Sequence, residues 1–319
     1  MLTQRSSTTL SSDRPEAPPL TPGKLFLLMV LLGMTILLCA YATTAAEGGG
    51  EKTSAQVAKT DPQLTQLVRS VLQHEINAEA EDKSLWCYRK FVEKDGKHQL
   101  FSACQSQGAE IDRLMAENGK PLSQRQSQIE NQRIQKLLGN EEQLKKQKEQ
   151  QADDARQATK LLKMIPEAFL FQQVTNDGDR TTLRFIPNPQ FQSSGYSELV
   201  FHHMEGTLTL DTKQKRLVEI NGRLNSEVKF VGGLLGHLDK GGTFLVKQQE
   251  VGPGCWEMTR MDVQMNGRAL FFKTIGVRTN EIDTDFHAVP PKASIQQVAV
   301  LTGEATGEVS DRDDTRTQR

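Results

Sequence analysis

From residue 166 onward the chain alternates apolar and polar positions in short segments, each closed by a turn signal. Segments 168–175 and 180–186 flank Asp177-Gly178, and segments 206–210 and 217–224 flank a charged turn. Residues 228–231 lead into Gly232-Gly233-Leu234-Leu235-Gly236, which reads as a turn-rich crossover. Segments 243–251 and 256–265 flank Gly252-Pro253-Gly254, and segment 268–277 follows Asn266-Gly267. Period-two alternation bounded by Gly, Pro, Asn and Asp predicts strands joined by hairpins. Seven or eight antiparallel strands result, with no helices between them to support a parallel sheet. For the last hairpin, an Asn266-Gly267 loop sets Val263 opposite Leu270 and Met261 opposite Phe272, with Arg260 opposite Lys273. The strands are half apolar, so the sheet has one wet face and one covered face.

The cover comes from the residues before this meander. Asp61-Pro62 opens a helix in which Leu64, Leu67, Val68, Val71, Leu72 and Ile76 recur at helical spacing. A short strand is expected around 110–115, ended by Asn118-Gly119. Ser123 is an N-cap with Gln126 as its capping-box partner, and a polar helical stretch follows to about residue 164. Gly139-Asn140 divides it into two helices. Its Lys/Gln/Glu run at 141–151 reads as a solvated helix face. The expected fold is therefore α+β: a large curved antiparallel sheet, a half-barrel, packed on helices and preceded by an apolar leader or anchor helix. One domain spans 61–291 with a helical insertion at 123–164, and residues 292–319 are expected to form a disordered tail.

Cys87 and Cys104 fix one register in advance. Between them lies Asp95-Gly96, a two-residue hairpin signal. If Lys94 faces Lys97, the same register sets Cys87 directly opposite Cys104. The pair falls on a non-hydrogen-bonded position, where Cα atoms approach to about 4.5 Å and a disulfide is geometrically allowed. Cys39 lies in an apolar run, and Cys255 has no evident partner.

That apolar run, 25–41, carries no charge. At about 1.5 Å per residue it extends roughly 25 Å, near the lower limit for a membrane helix. Arg5, Arg14 and Lys24 precede it and place a disordered segment 1–24 on the cytoplasmic side. Small residues at Ala40/Ala42 and Thr44/Ala46 fit a cleavage site, while the long preceding segment fits an uncleaved anchor; both fates stay open. Either way, the chain after a flexible linker at 42–60 is expected on the periplasmic side of the cell envelope, anchored to the inner membrane or free. An oxidising compartment agrees with the expected disulfide.

Charge and motifs exclude more than they suggest. Lys and Arg total 39 against 40 Asp and Glu, so no net-basic domain marks a nucleic-acid binder. The Gly-rich stretch 232–242 lacks P-loop spacing, and neither a metal-ligand spacing nor a nucleophile motif is present. In a strand, His202 and His203 would point to opposite faces and would not chelate together. No cofactor, metal or catalytic residue is therefore expected. The apolar residues of the sheet remain as the candidate ligand surface: Phe169, Phe171, Leu183, Phe185, Leu208, Leu210, Phe230, Met258, Met261 and Phe272. Such residues either fill a core or line a cavity under a curved sheet.

Three stretches give a resemblance: 185–191 (Phe-Ile-Pro-Asn-Pro-Gln-Phe), 204–211 (Met-Glu-Gly-Thr-Leu-Thr-Leu-Asp) and 216–224 (Arg-Leu-Val-Glu-Ile-Asn-Gly-Arg-Leu). With the order leader, helix, hairpin, helices and meander, the part from 166 to 291 resembles the LolA/LolB-like superfamily of periplasmic carriers, which includes the outer-membrane lipoprotein-sorting proteins. The resemblance implies a half-barrel that holds acyl chains. A lipid or acylated protein would then be the partner, and the activity would be carriage rather than catalysis. The alternative is a membrane-anchored interaction or sensor protein with a solid core and a polar helical partner surface.

Overall fold

The computed structural model describes residues 61–304, apart from 95, 108 and 270–272. The apolar run 25–41, the linker 42–60, Phe272 and the end of the chain lie outside the described residues. Among the described residues no helix is long and apolar enough to cross a membrane.

The fold is α+β, with a curved open sheet. Helix α1 (Pro62–Glu81) begins at Asp61, whose carboxylate accepts the Gln63 N–H at 2.9 Å, and carries Pro in its first turn. Strands β1 (Leu85–Lys94), β2 (Lys97–Ser106), β3 (Ala109–Glu117) and β4 (Lys120–Pro121) follow as a meander. Positive φ at Asn118 and Gly119 makes the β3–β4 turn. Helices α2 (Gln124–Leu138) and α3 (Glu141–Ala168) come next. Ser123 and Gln126 cap α2 reciprocally, as expected, and the two helices part at Gly139-Asn140.

The meander continues with β5 (Phe169–Asp177), β6 (Arg180–Pro187), a single turn α4 (Tyr196–Leu199), β7 (Met204–Asp211), β8 (Arg216–Leu224), β9 (Val228–Phe230), β10 (Gly236–Leu238), β11 (Thr243–Gly252), β12 (Cys255–Ala269) and β13 (Lys273–Val289). Helix α5 (Ile295–Glu304) closes the described chain. All thirteen strands join one sheet in the order β4-β3-β2-β1-β13-β12-β11-β8-β7-β6-β5, with β9 and β10 attached beside β12. The nine C-terminal strands thus meet the four N-terminal ones along one seam, β1 against β13.

The register predicted for the first hairpin holds throughout: Lys94 faces Lys97 and Cys87 faces Cys104. Those cysteines form a disulfide with a Cα separation of 4.0 Å. The last hairpin differs from expectation. β12 runs straight through Asn266-Gly267, which pair with Gly276 and Ile275 on β13, and Met261 faces Glu281 rather than Phe272. Gly267 serves close approach instead of a turn: a Cβ there would lie 2.2 Å from the His237 backbone oxygen on β10.

Three further differences have local causes. Helix α3 passes through Pro166 to Ala168, beyond the expected end near 164. Asn188 covers its terminus, donating its backbone N–H to the Ala168 oxygen and its side-chain amide to the Glu167 oxygen, both at 2.8 Å. His202 and His203 lie in a 3₁₀ turn at Val200–His203, not in a strand, and His203 Nδ1 bonds Ser226 Oγ at 2.7 Å. Residues 295–304, expected within a disordered tail, are helical. Ser294 and Gln297 cap that helix reciprocally, and Val298 and Ala299 pack on Cys104 and Ile111.

Cross-strand partners share a face, so the register traces one row of side chains across seven strands: Val92, Glu281, Met261, Val246, Ile220, Leu208 and Leu183. This is the core face. Val68, Val71 and Leu72 of α1 and Leu161, Leu162 and Ile165 of α3 pack against its apolar part. On the opposite face the disulfide and Ile111 meet Ile134 and Leu137 of α2 and Val298 of α5.

Candidate functional site

Nine of the ten residues singled out from sequence occupy the core face. Phe169, Phe171, Leu183, Phe185, Leu208, Leu210, Phe230 and Met261 are all buried within one cluster, and Met258 packs half-buried against it. Phe272 lies outside the described residues. The Phe169 and Phe185 rings meet edge to face at 4.8 Å, and Phe201 adds a second such contact at 5.4 Å. The glycines serve this packing: a Cβ at Gly222 would lie 2.4 Å from the Phe244 ring. None of these nine described residues lines the cavity at β1–β3 or either of the two surface hollows.

A cavity of about 510 Å³ lies elsewhere, at β1–β3, α2 and the end of α5. Its walls include Leu100, Met115, Pro121 and Leu122, with Ser127 and Asn131 contributed by α2. Register places Arg89, Ser102 and Arg113 side by side on three adjacent strands, so two guanidinium groups flank a serine along one side. The volume falls within the range of small-molecule sites. Two other hollows are open at the surface. One lies between β2–β3 and the start of α3 beside Lys145, Lys148 and Lys292, and the other lies around Arg184 and Arg223.

Buried polar contacts fix the walls of the first cavity. Glu130 on α2 accepts the Leu114 backbone N–H at 2.8 Å and is held by Arg133 Nε and Nη2 at 2.8 and 2.7 Å. Arg133 also donates to the backbone oxygen of Asp112. Its hydrogen bonds to Glu130 hold the Arg133 guanidinium above its ordinary range. Together these contacts clamp α2 across β3. Arg113 donates to Thr302 Oγ1 at 3.1 Å and to the Ala299 oxygen at 3.3 Å, which ties α5 to the same strand. Partial burial lowers the Arg113 guanidinium, opposed by Glu130 and reinforced by Arg133. Arg89 has one ion-pair contact, Asp285 at 3.5 Å, and its side chain is 35% exposed. An apolar wall with cationic groups at its side accommodates a chain with an anionic or polar head.

On the core face of the same strands the sheet buries charge. Lys90 of β1 donates to Asp112 Oδ1 at 2.9 Å and to Glu110, and Tyr88 donates to Glu110 Oε2 at 2.6 Å. Glu281 and Asp283 of β13 lie beside them at 4% and 5% exposure. The sequence carries a signal for this cluster that alternation alone did not expose. Trp86, Tyr88, Lys90 and Val92 share one face of β1, and a lysine among three apolar residues there requires buried partners. The arginine-sided cavity has no comparable local signal, because it arises between β1–β3, α2 and α5.

No family model matches the chain, and no curated protein matches it at the significance required. Among solved structures the chain is similar to a DUF1329 family protein from Desulfovibrio piger. That superposition covers 76% of this chain and 100% of the other, at 9% sequence identity and a TM-score of 0.25, and nothing about function follows from it.

Proposed function

We propose that this protein is a non-enzymatic, cell-envelope carrier-like protein that holds a lipid or acylated ligand. Its site is the cavity bounded by β1–β3, α2 and the end of α5. The observation that supports this reading is the pairing of apolar walls with Arg89 and Arg113 in one recess of about 510 Å³. Burying about ten methylenes at ~0.8 kcal/mol each contributes about 8 kcal/mol, offset by the several kcal/mol lost on association. The arginines would orient an anionic head at the mouth. The Cys87–Cys104 disulfide supports an oxidising compartment, in keeping with a leader or inner-membrane anchor at 25–41.

The filled core at β5–β12 favours a second reading, a solid interaction protein whose partner surface lies on α2 and α3. Uptake of a fluorescent fatty acid separates the two. Ser127→Trp, which places an indole in the cavity from α2, is expected to lower uptake at least ten-fold. Phe185→Leu, in the core, is expected to leave uptake within two-fold. Saturable uptake unaffected by Ser127→Trp, or no uptake by the parent chain, contradicts the proposal.

A further inference from the structure

The β1–β13 seam carries an unbalanced set of buried charges. Among the described residues Lys90 faces four carboxylates: Glu110 and Asp112 on β3, and Glu281 and Asp283 on β13. Lys90 is the register partner of Asp283, and Val92 that of Glu281. The other groups around the cluster are Tyr88, bonded to Glu110, and Arg133 of α2, whose charge acts on Asp112. Oε1 of Glu281 and Oδ1 of Asp283 have no hydrogen-bond partner among the described residues. A buried carboxylate oxygen without a donor is least costly when its group carries a proton. Among the described residues no set of three or more His, Cys, Asp or Glu is arranged to hold a metal ion.

We propose that this cluster is a proton-operated latch on the join between the two halves of the sheet. Protons held by its carboxylates keep β13 against β1. Their release leaves like charges on β3 and β13, on either side of β1, and loosens the seam.

The titration of the groups agrees in direction. Burial raises Asp112 to about 7, with Lys90 opposing and Glu110 adding to the rise. Burial raises Glu281 to about 6 against the pull of Lys90, and raises Asp283 well above its ordinary value with help from Glu281. Lys90, although burial alone would lower it, is held well above its ordinary value by these carboxylates and stays charged through neutrality. Between the ordinary carboxylate value of 3.8 and about 7, the closed seam binds more protons than the open one. This contribution to its stability is therefore fully present below the ordinary carboxylate value and is lost as pH rises through this window.

Hydrogen exchange on the full chain tests the latch, after correction for the intrinsic pH dependence of exchange. Opening of β1 and β13 amides is expected to rise about ten-fold or more between pH 5.5 and 7.5. Amides of β6 and β7, remote from the cluster, are expected to change less than two-fold. The triple variant Asp112→Asn, Glu281→Gln, Asp283→Asn removes three of the four carboxylates, keeps the Lys90–Glu110 contact and is expected to flatten the response. Seam amides that follow β6 and β7 in the parent chain overturn the proposal. So does a triple variant that folds and keeps the full response. If the variant does not fold, the contrast within the parent chain decides.

Discussion

Lys90→Met is expected to destabilise the protein by about 3–5 kcal/mol at pH 7.5, measured as a shift in the urea midpoint. The methionine occupies similar volume, so the effect comes from charge rather than from a cavity. Glu110 loses one of its donors, Asp112 loses its 2.9 Å contact, and four buried carboxylates face one another without the lysine between them. The loss should shrink when the measurement is repeated near pH 5.5, where the carboxylates take up protons. A loss below about 1 kcal/mol at pH 7.5 would mean that the buried lysine contributes nothing to holding these strands together.

Glu75→Ala is expected to cost a similar amount, about 3–5 kcal/mol, for a related reason. Glu75 sits on the buried side of α1 and accepts from Arg216 Nη2 at 2.9 Å, from the Leu217 backbone N–H at 3.2 Å and from Gln248 Nε2 at 3.2 Å. It thereby ties the helix to β8 and β11. Truncation strands Arg216, which is 6% exposed and lies over the Trp256 ring at 5.5 Å, as a buried cation without its carboxylate. Glu75→Gln keeps the acceptor oxygen and should lose less. Arg69–Glu167, an exposed ion pair of 2.7 Å between α1 and α3, is the control, and Glu167→Gln should change the midpoint little. Equal losses at the two sites would contradict a special role for the buried contact.

The features legible in the sequence were those encoded over a few residues. The Cys87–Cys104 register followed from one turn signal and strand alternation, and the Ser123/Gln126 cap from its own spacing. The misreadings had competing local and distant causes. Asn266-Gly267 carries the chemistry of a hairpin, but Gly267 is needed where β10 passes close by, and β12 runs on through it. The pairing of β1 with β13 links residues nearly two hundred positions apart, and alternation does not specify such a partner. Ser294 and Gln297 offered the same capping pattern as Ser123 and Gln126, yet the polar end of the chain masked a helix whose buried face is only a few residues wide.

The candidate site shows the same division. Apolar alternation located the core face correctly, and there α1 and α3 pack onto the sheet. Alternation does not distinguish a residue that fills space from one that lines it. The cavity instead lies where α2 and α5 meet β1–β3, and Arg89, Ser102 and Arg113 align there only because three strands share one register.

Native mass spectrometry of the protein released gently from cell envelopes tests the proposed binding most directly. One acyl lipid or acylated peptide bound per chain is predicted, retained by Phe185→Leu and lost from Ser127→Trp. A parent chain that carries no such ligand, or a ligand that Ser127→Trp retains in full, contradicts the assignment of this cavity.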